Sequence, residues 1–105
     1  MRTEYQTLRD APNGESCVRC GRCDGTVVGA HYSGVRRLAY FGGLGKKVHD
    51  IVMAHLCAVC HREMDTLLKD KAKRWEHSEE MLHLVTLTII RLISRGTLVV
   101  KGCRT

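Results

Sequence analysis

The fold of this chain is decided by the stretch Leu56-Cys57-Ala58-Val59-Cys60-His61-Arg62-Glu63-Met64-Asp65. In this stretch a Cys-x-x-Cys pair is followed at once by a histidine and, one helical turn later, by an aspartate. A second pair, Cys17-Val18-Arg19-Cys20, lies upstream. Two such pairs can place four thiolates tetrahedrally around one zinc ion, so the spacing predicts a structural zinc site of Cys17, Cys20, Cys57 and Cys60.

Other cysteine pairings stay open, because Cys20-Gly21-Arg22-Cys23 is a Cys-x-x-Cys pair as well. Cys17 is preferred to Cys23 as the partner of Cys20, since Gly21 then falls just after the second ligand, where a tight backbone suits glycine. The alternatives to a zinc site are two unliganded pairs or a redox dithiol. Cys103 is expected to take no part in the site.

Length and charge limit the class of protein. The chain has 105 residues and a net charge of +6, and 5% of its residues are aromatic. These values predict one domain with a small aliphatic core, exclude collagen and disorder, and make nucleic acid the first partner to test. Residues 1–10 lack the apolar region of a secretory signal, and the apolar run at 81–93 is too short to cross a bilayer. We therefore expect a cytoplasmic protein with no membrane partner.

The sequence predicts an α+β organisation with one domain. Residues 1–15 are predicted to be a flexible lead-in and residues 16–105 the domain, with its core in 17–75 and a C-terminal helix and strand in 78–101. Ser78 is the expected N-cap of that last helix and Gly96 its stop. The elements predicted from propensity and periodicity are strands at 26–32 and 48–56, helices at 61–75 and 78–95, and a terminal strand at 97–101.

The helix predicted at 78–95 has an unusually wide apolar face. Such a face is either covered by the rest of the domain or shared with a second subunit. A homodimer through this helix is therefore one of the predictions.

Positive charge is concentrated in the glycine-rich segment 33–47, which has no acidic residue. Its four basic residues, Arg36, Arg37, Lys46 and Lys47, can neutralise phosphates of a DNA backbone. A solvated mobile loop is the alternative interpretation. Because the sequence contains no recognisable base-reading element, binding to the backbone or shape of DNA is expected rather than to a defined sequence.

His61 and Asp65 share one face of a helix if the helix begins near Cys60, so together they can hold one divalent cation. His31 ends the β-prone segment 26–32, from which its side chain can face the same helix. A bound cation, a histidine that deprotonates water and a basic loop together supply what phosphodiester hydrolysis needs.

Several of these motifs resemble a known family. They are Cys-x-x-Cys-Gly, Ala30-His31, Gly43-Leu44-Gly45-Lys46-Lys47-Val48-His49-Asp50 and the stretch from Leu56 to Asp65. Together they are similar to the HNH (ββα-metal) endonucleases, above all to the small HNH-like proteins encoded in recombination regions of lambdoid phages and prophages. The resemblance covers roughly residues 17–65. It implies a zinc-stapled, treble-clef-like ββα-metal core and a role in phage DNA recombination or processing.

The resemblance also implies a role for each site residue. His31 takes the place of the general base, and His61 and Asp65 match the ligands of a catalytic Mg²⁺ or Mn²⁺. Asp50 matches the residue that orients the base, with His49 as the alternative. Ala30 stands where many members have a further metal ligand, so the cation is expected to bind weakly without DNA.

Two main functions follow from the sequence. The first is a metal-dependent DNA endonuclease with zinc as a structural ion. The second is a non-catalytic, zinc-stapled DNA-binding module that assists recombination, for which the alanine at position 30 is the main argument. A protein-interaction module that dimerises through its last helix is a third.

Overall fold

A computed structural model describes residues 2–102 of the chain. In this part of the chain the elements are, in order, α1 (Gln6–Asp10), β1 (Val28–His31), β2 (Met53–Leu56), α2 (Ala58–Lys69) and α3 (Arg74–Ser94). Short 3-10 turns lie at Arg37–Tyr40 and Lys71–Lys73. Cys103, which was expected to take no part in the site, lies outside the described residues.

The two strands pair in antiparallel fashion, and the register sets Ala30 opposite Ala54 and His31 opposite Met53. The α+β class is therefore confirmed. Both strands are shorter than predicted. The second begins only at Met53, because the N–H of Val52 bonds to the carbonyl of His49 at 2.9 Å and closes a turn just before it.

Both long helices begin earlier than predicted. α2 starts at Ala58, since the carbonyl of Cys57 already accepts the N–H of His61 at 2.9 Å. α3 starts at Arg74, so Ser78 lies inside this helix and is not its N-cap. The Ser78 side chain is buried and shares a hydrogen bond of 2.6 Å with the hydroxyl of Tyr32. This serine ties α3 to the residue that follows β1.

The helix predicted at 61–75 is interrupted at Asp70. The backbone of Asp70 is extended, and its side chain accepts the N–H of Ala72 at 3.0 Å. An aspartate that bonds to a backbone N–H two residues ahead favours a turn over a continuing helix. The turn separates α2 from α3 and lets the two helices pack against each other.

The C-terminal end of α3 is set by Gly96, as predicted. Gly96 has φ +75°, its N–H bonds to the carbonyl of Ile93, and the N–H of Thr97 bonds to the carbonyl of Leu92. These are the two bonds of a Schellman cap, which requires a left-handed residue at this position.

The strand predicted at 97–101 is wrong, because residues 97–102 contain no strand. The chain turns back onto the helix end instead of reaching the sheet, and the N–H of Leu98 also bonds to the carbonyl of Leu92 at 3.1 Å. Leu98 then packs against a small apolar cluster of Leu8, Met53 and Leu92.

The N-terminal segment also differs from the predicted flexible lead-in. Residues Gln6–Asp10 form α1, and Leu8 is buried against Met53 and Leu92. The N–H of Asp50 bonds to the carbonyl of Thr3 at 2.8 Å. Apolar burial and backbone hydrogen bonds therefore attach this segment to the domain.

The main core lies where β2 packs against α3, which contributes the buried side chains Met81, Leu84 and Val85. On the same helix Leu87, Ile90 and Ile93 are between 37% and 56% exposed. The predicted homodimer through residues 78–95 stays a prediction. None of the helices in residues 2–102 has the length and apolar character that crossing a membrane requires.

Candidate functional site

The four predicted zinc ligands converge. The Sγ atoms of Cys17, Cys20, Cys57 and Cys60 all lie within 4.8 Å of one another, and those of Cys20 and Cys57 are 3.7 Å apart. Zn–S bonds of about 2.3 Å in a tetrahedron separate the sulfurs by about 3.8 Å. The cluster thus has the size and the donor atoms of a four-cysteine zinc site.

Cys23 is not part of this cluster, so the preference for Cys17 is confirmed. The Cys23 thiol is exposed and lies 3.7 Å from the carbonyl of Gly14. The N–H of Gly21 bonds to the carbonyl of Cys17, and the N–H of Cys17 bonds to the carbonyl of Arg22. This tight turn, with Gly21 at φ +81°, directs the thiols of Cys17 and Cys20 toward those of Cys57 and Cys60.

The electrostatics of the cluster favour a bound cation. Burial opposes a thiolate at Cys17, but the backbone N–H groups of Cys57, Cys20 and Arg19 outweigh it and lower the pKa of Cys17 to about 6. The pKa of Cys60 is raised to about 12. Burial is the largest cause, and hydrogen bonds with the three neighbouring cysteines contribute to the rise. One thiolate is therefore stabilised mainly by backbone N–H groups, whereas further thiolates need positive charge among them.

His31 and Asp50 form a hydrogen-bonded pair. The Nε2 of His31 lies 2.8 Å from Oδ1 of Asp50, and the Asp50 side chain is 1% exposed. His31 ends β1, and Asp50 lies in the turn before β2. The antiparallel register therefore brings the two residues together.

Asp50 is held by three different groups. Its Oδ2 accepts the N–H of Tyr5 at 2.7 Å and Nε of Arg9 at 2.7 Å, and its Oδ1 accepts His31. Burial acts to raise the pKa of Asp50, but the hydrogen bonds from Arg9, Tyr5 and His31 lower it to about 2. Asp50 is therefore a carboxylate at neutral pH.

This ionisation decides which nitrogen of His31 carries the proton. A carboxylate can only accept hydrogen bonds, so Nε2 of His31 must be the donor. Neutral His31 then has a free lone pair on Nδ1. The pair is thus arranged so that Nδ1 can accept a proton while Asp50 holds the ring.

His61 and Asp65 lie one turn apart on α2, as predicted. Nε2 of His61 and Oδ2 of Asp65 are 3.9 Å apart, and both side chains are partly exposed. Two adjacent ligands of an octahedral Mg²⁺ ion, each bonded at about 2.1 Å, lie about 3.0 Å apart, so His61 and Asp65 would have to move about 1 Å closer together to share one ion. Ala30 is buried beside this site and offers no ligand atom.

His31, His61 and Asp65 line one cleft of about 500 Å³. We call it the basic cleft, because the remaining wall carries positive side chains. Its other lining residues include Ser33, Arg37, Gly43, Gly45, Lys46 and Lys47. Three of the four predicted phosphate contacts therefore lie here. The fourth, Arg36, is absent from the lining, and its guanidinium carbon lies 5.7 Å from the ring centre of Trp75.

Two contributors to this site were missed from the sequence. Arg9 and the backbone of Tyr5 both bond to Asp50 across more than 40 residues of chain. A buried carboxylate needs a cation or several N–H donors, so the sequence could indicate that Asp50 has such a partner. It could not indicate that the partner is Arg9. His49, the alternative to Asp50, instead accepts the N–H of Ile51 on its Nδ1 at 3.0 Å.

Comparison of the chain with family models, with curated proteins and with solved structures finds no match. The HNH resemblance therefore continues to depend on the sequence motifs alone.

Proposed function

We propose that this protein is a metal-dependent DNA endonuclease of the HNH type, which hydrolyses phosphodiester bonds. The observation that carries the proposal is the hydrogen bond between His31 and ionised Asp50 beside a cleft that also contains His61 and Asp65. A histidine oriented by a buried carboxylate is a common arrangement for a general base. The positive side chains that line the basic cleft fit a phosphodiester substrate.

The residues that line and support the basic cleft have distinct roles in this proposal. Nδ1 of His31 takes the proton from the attacking water, and Asp50 holds the ring and stabilises the imidazolium that forms. The side chains of Arg37, Lys46 and Lys47 hold the phosphates on either side of the scissile bond. The four cysteines would hold a zinc ion that stabilises the start of α2 and takes no part in the chemistry.

His61 and Asp65 would hold the catalytic divalent cation, with Mg²⁺ or Mn²⁺ as the natural choice for these ligands. When bound, such an ion supplies Lewis-acid stabilisation of the charge that develops on the phosphate oxygens and the leaving oxygen. Because residues 2–102 offer two ligand side chains on α2 at this site, we expect DNA phosphate and water to complete the coordination.

The proposal is tested by incubating zinc-loaded protein with supercoiled, single-stranded and branched DNA in the presence of Mg²⁺ or Mn²⁺. Wild type should cut at least one of these substrates. His31→Ala should lower the rate by about 10²-fold or more while zinc content and circular dichroism stay unchanged. His83→Ala, which removes an exposed histidine of α3, is the matched control and should cut normally.

A non-catalytic DNA-binding module is the second candidate, and Ala30 is the observation that favours it. Within residues 2–102 the four cysteines are the single group of three or more His, Cys, Asp or Glu donors close enough to share a metal ion. If wild type binds DNA in a salt-dependent way but cuts with no divalent cation, this second function replaces the first. By the motif resemblance, either activity would serve phage DNA recombination or processing in the cytoplasm.

A further inference from the structure

The basic cleft has an apolar projection on its rim. Gly43 and Lys46 exchange two backbone hydrogen bonds, each 3.1 Å long, and so close a tight turn with Leu44 and Gly45 at its tip. Gly45 has φ +67°, which glycine adopts without strain in the third position of such a turn. The side chain of Leu44 is fully exposed, at 103% of its reference area.

Leu44 therefore has no packing role in the domain. A leucine that buries nothing gives up about 2 kcal/mol of burial energy, and an exposed turn tip would accept a polar residue as well. The turn that carries Leu44 is closed by hydrogen bonds on both sides. The apolar group is thus presented on a defined support.

The neighbours of Leu44 connect it to the basic cleft. Gly43, Gly45, Lys46 and Lys47 all line the cleft that contains His31, His61 and Asp65. Glycine on each side of Leu44 allows the backbone to approach a partner closely. The two lysines that follow the turn place positive charge directly behind the apolar tip.

We propose that Leu44 is a wedge that enters the base stack of a DNA duplex held in the basic cleft. The inference depends on the proposed function, since it assumes that DNA occupies this cleft. Lys46 and Lys47 would bind phosphates beside the step that Leu44 opens. Aliphatic side chains of this kind unstack a base step and kink the duplex, at a cost of a few kcal/mol that is lower where the DNA is already weakened. The substrate class is therefore duplex DNA that is easily distorted, such as a mismatch or a bulge.

An apolar tip followed by lysines also fits an anionic membrane surface. DNA is favoured here because the turn shares its cleft with His31, Asp65 and His61, which suit phosphodiester chemistry and have no use at a membrane. A membrane partner is accordingly one of the outcomes that the experiment separates.

The test uses two DNA duplexes of one sequence, fully matched or with a single mismatch, each with the fluorescent base aminopurine beside the test position. Zinc-loaded protein is titrated in without Mg²⁺ or Mn²⁺, so that unstacking is read without cutting. Wild type should raise the fluorescence and bind the mismatched duplex about fivefold more tightly than the matched one. Leu44→Ala should lose both effects, and Leu44→Phe should keep them. Ile90→Ala, which trims an exposed aliphatic residue of α3, should behave as wild type.

The outcomes separate the wedge from the proposed function. If Leu44→Ala matches wild type in fluorescence and mismatch preference, the wedge is refuted, while cutting by wild type in Mg²⁺ would leave the endonuclease intact. If wild type binds neither duplex, the wedge is refuted, while cutting of single-stranded or branched DNA in Mg²⁺ or Mn²⁺ would leave the endonuclease intact. Binding to vesicles of phosphatidylserine and phosphatidylcholine that is lost in Leu44→Ala, without base unstacking, would replace the wedge with a membrane contact.

Discussion

His31 and Asp50 are joined by a hydrogen bond of 2.8 Å, and the groups that keep Asp50 in position come from the first ten residues of the chain. The N-terminal segment thus completes the candidate site, although it lies far from the HNH-like motifs in sequence. Arg9 and the N–H of Tyr5 neutralise and orient the carboxylate on which His31 depends.

Asp50→Asn should lower the cleavage rate by about a thousandfold. An amide that offers its oxygen to His31 turns its NH₂ group toward Tyr5 N–H and Arg9, where donors would face donors. Single-turnover cleavage of a preferred DNA substrate measures the loss. Asp10→Asn, a change on the exposed face of α1, is the control. Equal rates in the two variants would show that Asp50 does not support His31.

Arg9→Met should move the acidic limb of the pH–rate profile to higher pH. Arg9 places a positive charge on the carboxylate that also binds His31, so without Arg9 the His31–Asp50 pair takes up a proton at a higher pH. Arg9→Lys should restore part of the shift. Arg22→Met, a change outside the lining of the basic cleft, should leave the profile in place. A fall in rate without any change in the profile would mean that Arg9 acts through stability alone.

Cys60→Ser should abolish zinc binding, whereas Cys23→Ser should keep one zinc ion per chain. The reason is that Cys60 belongs to the four converging thiols and Cys23 does not. Elemental analysis gives the metal content, and thermal melting shows the consequence for stability. Since a small core depends on its metal, Cys60→Ser should lose the cooperative transition. Retention of zinc by Cys60→Ser together with its loss in Cys23→Ser would reassign the ligands.

Lys46→Ala and Lys47→Ala should each weaken DNA binding about equally for all sequences. A lost phosphate contact reduces the slope of log Kd against log salt concentration by about 0.9. Fluorescence anisotropy over a range of salt concentrations measures this slope. Lys71→Ala, outside the basic cleft, should leave it unchanged. The same reduction in Lys71→Ala would indicate a diffuse effect of net charge.

The unfolding free energy should fall in weak acid because of His55. Burial, helped by the nearby charge of Arg91, lowers the pKa of His55 to about 4 from 6.5, so below pH 6.5 the unfolded chain binds a proton that the folded chain does not. Stability from this group is complete above pH 6.5 and decreases as the pH falls toward 4. Between about pH 7.5 and 5.5 the loss is about 1.4 kcal/mol.

Urea unfolding of the zinc-loaded protein at several pH values checks this expectation. In His55→Gln, the number of protons taken up on unfolding in weak acid should fall by about one. In His83→Gln, a change on the exposed surface of α3, this number should stay the same. An unchanged dependence in His55→Gln would assign the acid sensitivity to other groups.

Local chemistry explains what could be predicted from the sequence. The spacing of Cys57 and Cys60 and the period of an α-helix place His61 and Asp65 on one face whatever the remaining chain does. Gly96 stops α3 because the left-handed conformation of a Schellman cap is open to glycine. These features depend on residues within a turn or two of each other. The sequence by itself therefore determined the pair of Cys57 and Cys60, the helix that contains His61 and Asp65, and the end of the last helix.

Tertiary structure decided which distant residues meet. The choice of Cys17 over Cys23, the partners of Asp50 and the position of Ser78 inside α3 all depend on packing between segments. Arg9 bonds to a carboxylate 41 residues away, a contact that exists only once α1 packs beside the turn before β2. The missing strand after Gly96 has the same origin, because Leu98 packs against the cluster of Leu8, Met53 and Leu92 and the chain does not extend toward the sheet. A local pattern limits which contacts are chemically suitable, but only the folded chain brings them within bonding distance.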